Sequence, residues 1–282
     1  MKKDSFMKQA LLYTMSILCL TACNKKEDVV PVSNRYVVNL FEYKPAPGQF
    51  INKAPGNIES AEGILGGREG LVSLGAYGGY IVLGFDHPVV NQEGEDDFVV
   101  YGNSQAEFAE PGVIWVMQDA NGNGVPDDTW YEIKGSAYNT DGYLRDYEVT
   151  YFKPESSDGD VSWRDSQGNE GAIKRNTYHN QPYYPEWLDA TSYTLTGSRL
   201  PSTNIDKTVP TYVKSMPFEW GYADNTVGGD KVDIDNAIDH NGDKVELQAI
   251  DFVKIQTGIQ ADLGWLGELS TEISGIEDLH IP

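Results

Sequence analysis

The sequence predicts an all-β fold: an antiparallel β-sandwich, jelly-roll-like, with long loops. Two observations carry that reading. Short runs rich in Val, Ile, Tyr and Phe recur between clusters of Gly, Asn, Asp and Pro. Several runs also alternate with a period of two, so that Ile81, Leu83 and Phe85 share one face and Val82 and Gly84 the other. Helical periodicity is nearly absent, and only 232–238 is expected to form a single turn. No repeat of about 40 residues recurs, which argues against a propeller, and an up-and-down barrel is the weaker alternative to a sandwich.

The expected strands follow in order. Residues 36–41 are mostly apolar, and 71–74 lie between Gly70 and Gly75. The alternating run 80–85 comes next, and 98–101 stops at Gly102-Asn103. Residues 113–118 and 130–133 flank a loop of Asp, Asn and Gly, which makes them a hairpin. The runs 147–152, 192–195 and 252–257 complete the set, the last ending at Gly258. The interval 153–189 is weakly patterned and reads as a long loop, of the kind that is often functional. Without a composition shift to mark a boundary, residues 36–282 are expected to form one ligand-binding domain.

The N-terminus reads as an export signal. Lys2, Lys3 and Lys8 precede an apolar run from Ala10 to Leu20, too short to span a bilayer of roughly 30 Å. The ending Leu20-Thr21-Ala22-Cys23 resembles the lipobox of bacterial lipoproteins. That resemblance implies removal of 1–22, lipidation of Cys23 and a membrane-tethered mature chain. Residues 23–35 read as a flexible tether. Its Lys26-Glu27-Asp28 resembles the acidic signal that sends Bacteroidota lipoproteins to the outer face of the outer membrane, the periplasmic face being the alternative.

The net charge of −22 disfavours nucleic acid and anionic headgroups, and is compatible with cations and with neutral ligands such as sugars. Cysteine occurs only at 19 and 23. The first leaves with the signal and the second carries lipid, so no disulfide forms within the mature chain, and a bound metal is a candidate staple.

Such a metal has a candidate loop in Asp119-Ala120-Asn121-Gly122-Asn123-Gly124-Val125-Pro126-Asp127-Asp128. Oxygen side chains at positions one, three and five, with glycine at six, match the first half of an EF-hand loop. Hard oxygen donors suit Ca²⁺ in a structural role. The expected ligands are Asp119, Asn121, Asn123, the Val125 carbonyl and Asp128. Position twelve is Trp130 rather than glutamate, leaving Asp127 or Glu132 for the missing oxygen. Asp239-His240-Asn241-Gly242-Asp243 has its glycine at the wrong position and reads as a hairpin turn.

Nothing in the sequence argues for catalysis. The four histidines are scattered, so no zinc spacing exists, and no serine-hydrolase elbow or free thiol is present. Asp97, Glu107 and Glu110 read as a solvated rim. Aromatic loops are the better binding candidates, because flat rings among amides suit sugar faces or larger, partly apolar ligands. The expected contacts are Tyr178, Tyr183, Tyr184 and Trp187 in one loop, Trp220 in a second and Trp265 in a third, on a face shared by two of them.

Segments along nearly the whole mature chain resemble one family of Bacteroidota cell-surface lipoproteins. They include Pro45-Ala46-Pro47-Gly48-Gln49-Phe50, Gly84-Phe85-Asp86-His87, Tyr101-Gly102-Asn103, Glu110-Pro111-Gly112, Tyr183-Tyr184-Pro185 and Gly264-Trp265-Leu266-Gly267-Glu268. Some members neighbour genes for TonB-dependent receptors, including those for cobalamin. The resemblance implies a non-catalytic surface lipoprotein that captures a nutrient for an outer-membrane TonB-dependent receptor, a corrinoid being one ligand. A carbohydrate-binding module for glycan uptake or attachment and a structural adhesion protein of the envelope stay open as alternatives.

Overall fold

In the computed structural model, residues 33–281 are described. The signal segment, Cys23 and most of the expected tether lie outside them. Among the described residues the structure is nearly all β, in several antiparallel sheets, none closed into a barrel. The largest has six strands in the order Asn39–Lys44, Tyr80–Val90, Ala249–Thr257, Gly112–Met117, Tyr131–Ile133 and Ala237–Ile238. A four-stranded sheet runs Ser192–Arg199, Leu144–Phe152, Val161–Asp165 and Glu170–Ile173. A three-stranded one runs Asp230–Val232, Phe98–Tyr101 and Gly275–Asp278. Among the described residues no helix is long and apolar enough to cross a membrane.

The alternation places the core. Ile81, Leu83, Ile114, Val116, Val253 and Ile255 form one apolar cluster with Phe98, Val100 and Ile276 of the three-stranded sheet. The short helix Ile58–Glu62, capped by the Asn57 side chain on the Ser60 N–H, adds Ala61 to it. Aromatic packing dominates a second cluster, where Tyr147, Tyr151 and Leu195 of the four-stranded sheet meet Tyr77, Tyr183 and Tyr184. At Gly84 the missing side chain is used: a Cβ there would lie 2.7 Å from the Phe41 ring. That ring packs edge-on against Phe252 across the bulges on either side of the strand.

Each expected strand overlaps an observed one. The runs at 80–85, 147–152, 192–195 and 252–257 are longer than expected, and 98–101 matches. Those at 71–74 and 130–133 are shorter, and 36–41 and 113–118 are shifted to Asn39–Lys44 and Gly112–Met117. The main correction concerns 153–189, which holds the hairpin Val161–Asp165 and Glu170–Ile173. Its turn is built by Asp165, whose Oδ1 accepts the N–H groups of Gln167 and Asn169 at 2.9 and 2.7 Å. The pattern is faint because Val161 and Asp165 are buried while the residues between them keep more exposure. Three residues of the expected tether are ordered: the Asn34 N–H donates to Asp86 and Arg35 pairs with Glu277 at 3.0 Å. The expected turn is the 3-10 segment Ile234–Asn236. Asp239–Asp243 forms a tight turn, with Asp239 accepting from Asn241 and Asp243.

Leu83 is fully buried at the centre of the large sheet. Leu83→Ala should cost about 2–5 kcal/mol in denaturant unfolding, and a loss below about 1 kcal/mol would be inconsistent with this core.

Candidate functional site

Ser215, at the end of the short strand Lys214–Ser215, and five further segments converge on one cavity of about 420 Å³. Those five are the stretch at Gln49-Phe50, the loop Asn103–Glu110, the stretch Asn176–His179, the turn Leu263–Glu268, and Glu272 in a short strand. Rings of Tyr178 and Trp265, 77 % and 53 % exposed, stand at its mouth. Phe50 and Phe108 line it further in, and His179 packs edge-on against Phe50 at 4.9 Å.

Gln49 holds the loops together. Its Nε2 donates to the Leu266 carbonyl and its Oε1 accepts from Asn176 Nδ2, both at 2.8 Å. Its backbone N–H donates to Glu268 Oε1 at 2.6 Å, and its carbonyl accepts from the Gln181 side chain. Asn176 Oδ1 accepts the N–H groups of Tyr178 and His179, which folds the turn that presents the Tyr178 ring. On the opposite side, Gly267 takes φ +91, and a Cβ there would lie 2.9 Å from Gln49 Nε2. Both positive φ and close approach therefore require glycine.

The cavity floor is acidic. Glu268 and Glu272 are each 4 % exposed, whereas Glu110 keeps some exposure. Burial pushes the Glu268 carboxyl up to about 8, with Glu272 and Asp262 adding to the rise. Burial likewise raises Glu272 to about 7, opposed by the hydrogen bond from Asn103. Glu110 and Asp224 are raised by burial and by the neighbouring carboxylates. Asp224 lies behind Glu272, accepting the N–H groups of Asn103 and Glu272 at 3.1 and 2.9 Å. Among the described residues none of these four forms an ion pair with lysine or arginine.

The expected ligand residues separate into two groups. Tyr178 and Trp265 come together at the cavity mouth, from two of the three loops. Tyr183 and Tyr184 do not contribute rings to a surface, because both are buried in the second core cluster. There the Tyr184 hydroxyl donates to the Ala190 carbonyl at 2.8 Å. Trp187 lies beside Tyr43, and Trp220 is half exposed; neither lines the cavity. Asp97 and Glu110 are not a solvated rim either. Asp97 is fully buried and accepts from Gln92 and Ile234, Glu110 stands in the cavity floor, and Glu107 is half-buried beside Lys214.

The loop 119–128 is exposed and closed by its own side chains. Asp119 accepts from Gly122, Asn123 and Gly124, with Gly122 and Gly124 at positive φ. Asp127 accepts from the Asn121 and Asn123 amides, Asp128 from the Ala120 N–H, and the Val125 carbonyl from the Asp127 N–H. Carboxylate, amide and carbonyl oxygens are hard donors, and among the described residues, the loop included, no three acidic, histidine or cysteine side chains are grouped to hold a metal ion. Glu132 is not the missing ligand: it points into the sandwich, accepting from Tyr143 and Ser198.

No family model matches the chain, and no curated protein matches it.

Because the folded protein holds the Glu268 proton up to about 8 and an unfolded chain releases it near 4.3, folding takes up a proton between those values. The stabilisation is full below the lower value and is lost as pH rises toward 8. Glu268→Gln removes that dependence. Its melting temperature should rise relative to wild type by at least about 3 °C between pH 5 and pH 8; a constant difference across that range would contradict the buried acid.

Proposed function

We propose that this chain is a non-catalytic ligand-binding lipoprotein, anchored through Cys23 at the outer membrane and facing the exterior. There it captures a scarce nutrient for a TonB-dependent receptor. The observation that carries the binding reading is the cavity itself. Two exposed rings, Tyr178 and Trp265, stand over a recess lined with amides and carboxyls, a combination that suits a polar ligand with a flat or ring-shaped body. A volume of about 420 Å³ suits a sugar-sized group or one arm of a larger ligand. A corrinoid would therefore place part of itself in the cavity and the rest against the rim. Glycan capture uses the same features.

Calcium belongs to the same reading as a staple of the 119–128 hairpin, held by Asp119, Asn121, Asn123, the Val125 carbonyl and Asp128. That loop contributes nothing to the cavity lining, so the ion's expected role is stability. Adding Ca²⁺ after chelation should raise the melting temperature by several degrees, and Asp119→Ala should remove the rise. No change with Ca²⁺ would end the calcium proposal.

Calorimetry against cobalamin, cobinamide and a glycan panel tests the binding reading. The double variant Tyr178→Ala/Trp265→Ala removes exposed rings, so it should fold normally while affinity falls at least tenfold. Unchanged affinity would refute the placement of the site. Protease shaving of intact cells tests the exterior location, which requires loss of the protein without lysis.

A further inference from the structure

A second cavity, of about 270 Å³, adjoins the first. Trp163 and Gly171 of the hairpin inside 153–189 line it, with Lys174, Asp262 and Gly264. The two cavities share their walls. Residues 171–174 border the second, and the same stretch of chain runs on through Asn176–His179 into the first. On the other side, Gly264 and Gly267 border the second while Trp265 and Leu266 border the first. The Gln49 amide joins Asn176 to Leu266, so it fixes the two cavities relative to each other as well as the mouth of the first.

Little separates them at the surface. Gly264 and Trp265 are consecutive and both exposed, one beside each cavity. Among the described residues no atom lies within 4 Å of where a Gly264 Cβ would stand, which leaves the crossing over the turn open. Each cavity also has its own indole. Trp265 stands at the mouth of the first. Trp163 lies over Gly171 in the second, where any Cβ would collide with its ring, and it stays partly exposed.

This duplication narrows the ligand. A single ring fills one cavity and leaves the other to water, whereas linked rings reach both across Gly264. An indole suits the apolar face of a sugar ring, and the polar side chains around it suit the hydroxyl edges. Charges of both signs border the second cavity, where Lys174 pairs with Asp160 at 2.7 Å and Asp262 is exposed. Neither a cation nor an anion is favoured there. We propose that the second cavity is a further subsite and that the ligand is a neutral oligosaccharide, one unit against Trp265 and Tyr178 and the next, across Gly264, against Trp163. The proposal rests on the binding reading above and deepens it by naming the ligand class.

Calorimetry on the mature protein with cello-, malto-, xylo- and laminari-oligosaccharides of one to four units tests it. Linking the units makes the second contact intramolecular, so affinity grows with length until both subsites are filled. In a series that binds, it should rise at least tenfold from monosaccharide to trisaccharide. Trp163→Ala should cut that gain to below threefold. Lys174→Ala changes an exposed side chain; it should reduce the gain by a smaller factor, and gives a second reading if Trp163→Ala does not fold. Equal affinity at every length would overturn the second subsite while leaving the first cavity as a binding site. So would a gain that survives both variants. Binding of cobalamin or cobinamide without binding of any oligosaccharide would overturn the ligand class alone. If nothing in either panel binds, both this proposal and the binding reading fall.

Discussion

The candidate site depends on the hydrogen bonds of one residue, Gln49. Through its side chain, N–H and carbonyl it reaches Leu266, Asn176, Glu268 and Gln181. Those partners are separated from it by more than a hundred residues of chain, so no local propensity could bring them together. Loops of this kind ordinarily sample many conformations, and each ordered residue carries an entropic cost of roughly 1–2 kcal/mol. A buried side-chain amide with its donor and acceptor both engaged offsets part of that cost and fixes the distance between the two loops. Tyr178 and Trp265 can then stand across one cavity instead of moving independently. The extended β-sheets supply the frame, and the amide supplies the aperture.

The floor of the cavity has a different logic. Burying a carboxyl without a counter-charge is unfavourable, and burial raises both acids, Glu268 to about 8, so that it holds its proton near neutral pH, and Glu272 to about 7, in the neutral range itself. Backbone N–H groups and the Asn103 amide satisfy some of the oxygens, but not Glu268 Oε2. A fold selected only for stability gains little from this arrangement, since an apolar residue of similar size would pack there more cheaply. Perturbed acids gathered in a recess are more often found where a ligand is recognised.

Much of the architecture was legible from residues alone. Period-two alternation at 80–85, and the turn-flanked runs at 98–101, 113–118 and 252–257, gave real strands, because β-branched and aromatic side chains of such runs fill the interior between sheets. The hairpin inside 153–189 was not legible, since its short strands carry Ser162 and Arg164 toward water, leave Trp163 only partly buried against the aromatic cluster, and close through a turn that depends on the Asp165 side chain. The site was half legible. Tyr178 and Trp265 declared themselves as rings among turn residues. Tyr183 and Tyr184 share that composition, yet they fill the core under the four-stranded sheet, and exposure cannot be read from ring content. Gln49, Asn103, Glu110, Glu268 and Glu272 were missed as a group because each is unremarkable in its own segment, and only tertiary pairing makes them neighbours.

Amide hydrogen exchange on wild type and Gln49→Ala tests the central dependence most directly. If Gln49 ties the aperture, the variant should lose protection together in 176–179 and 263–268, while the central strands and the 119–128 loop keep theirs. Unchanged protection in either of those two segments would contradict the account.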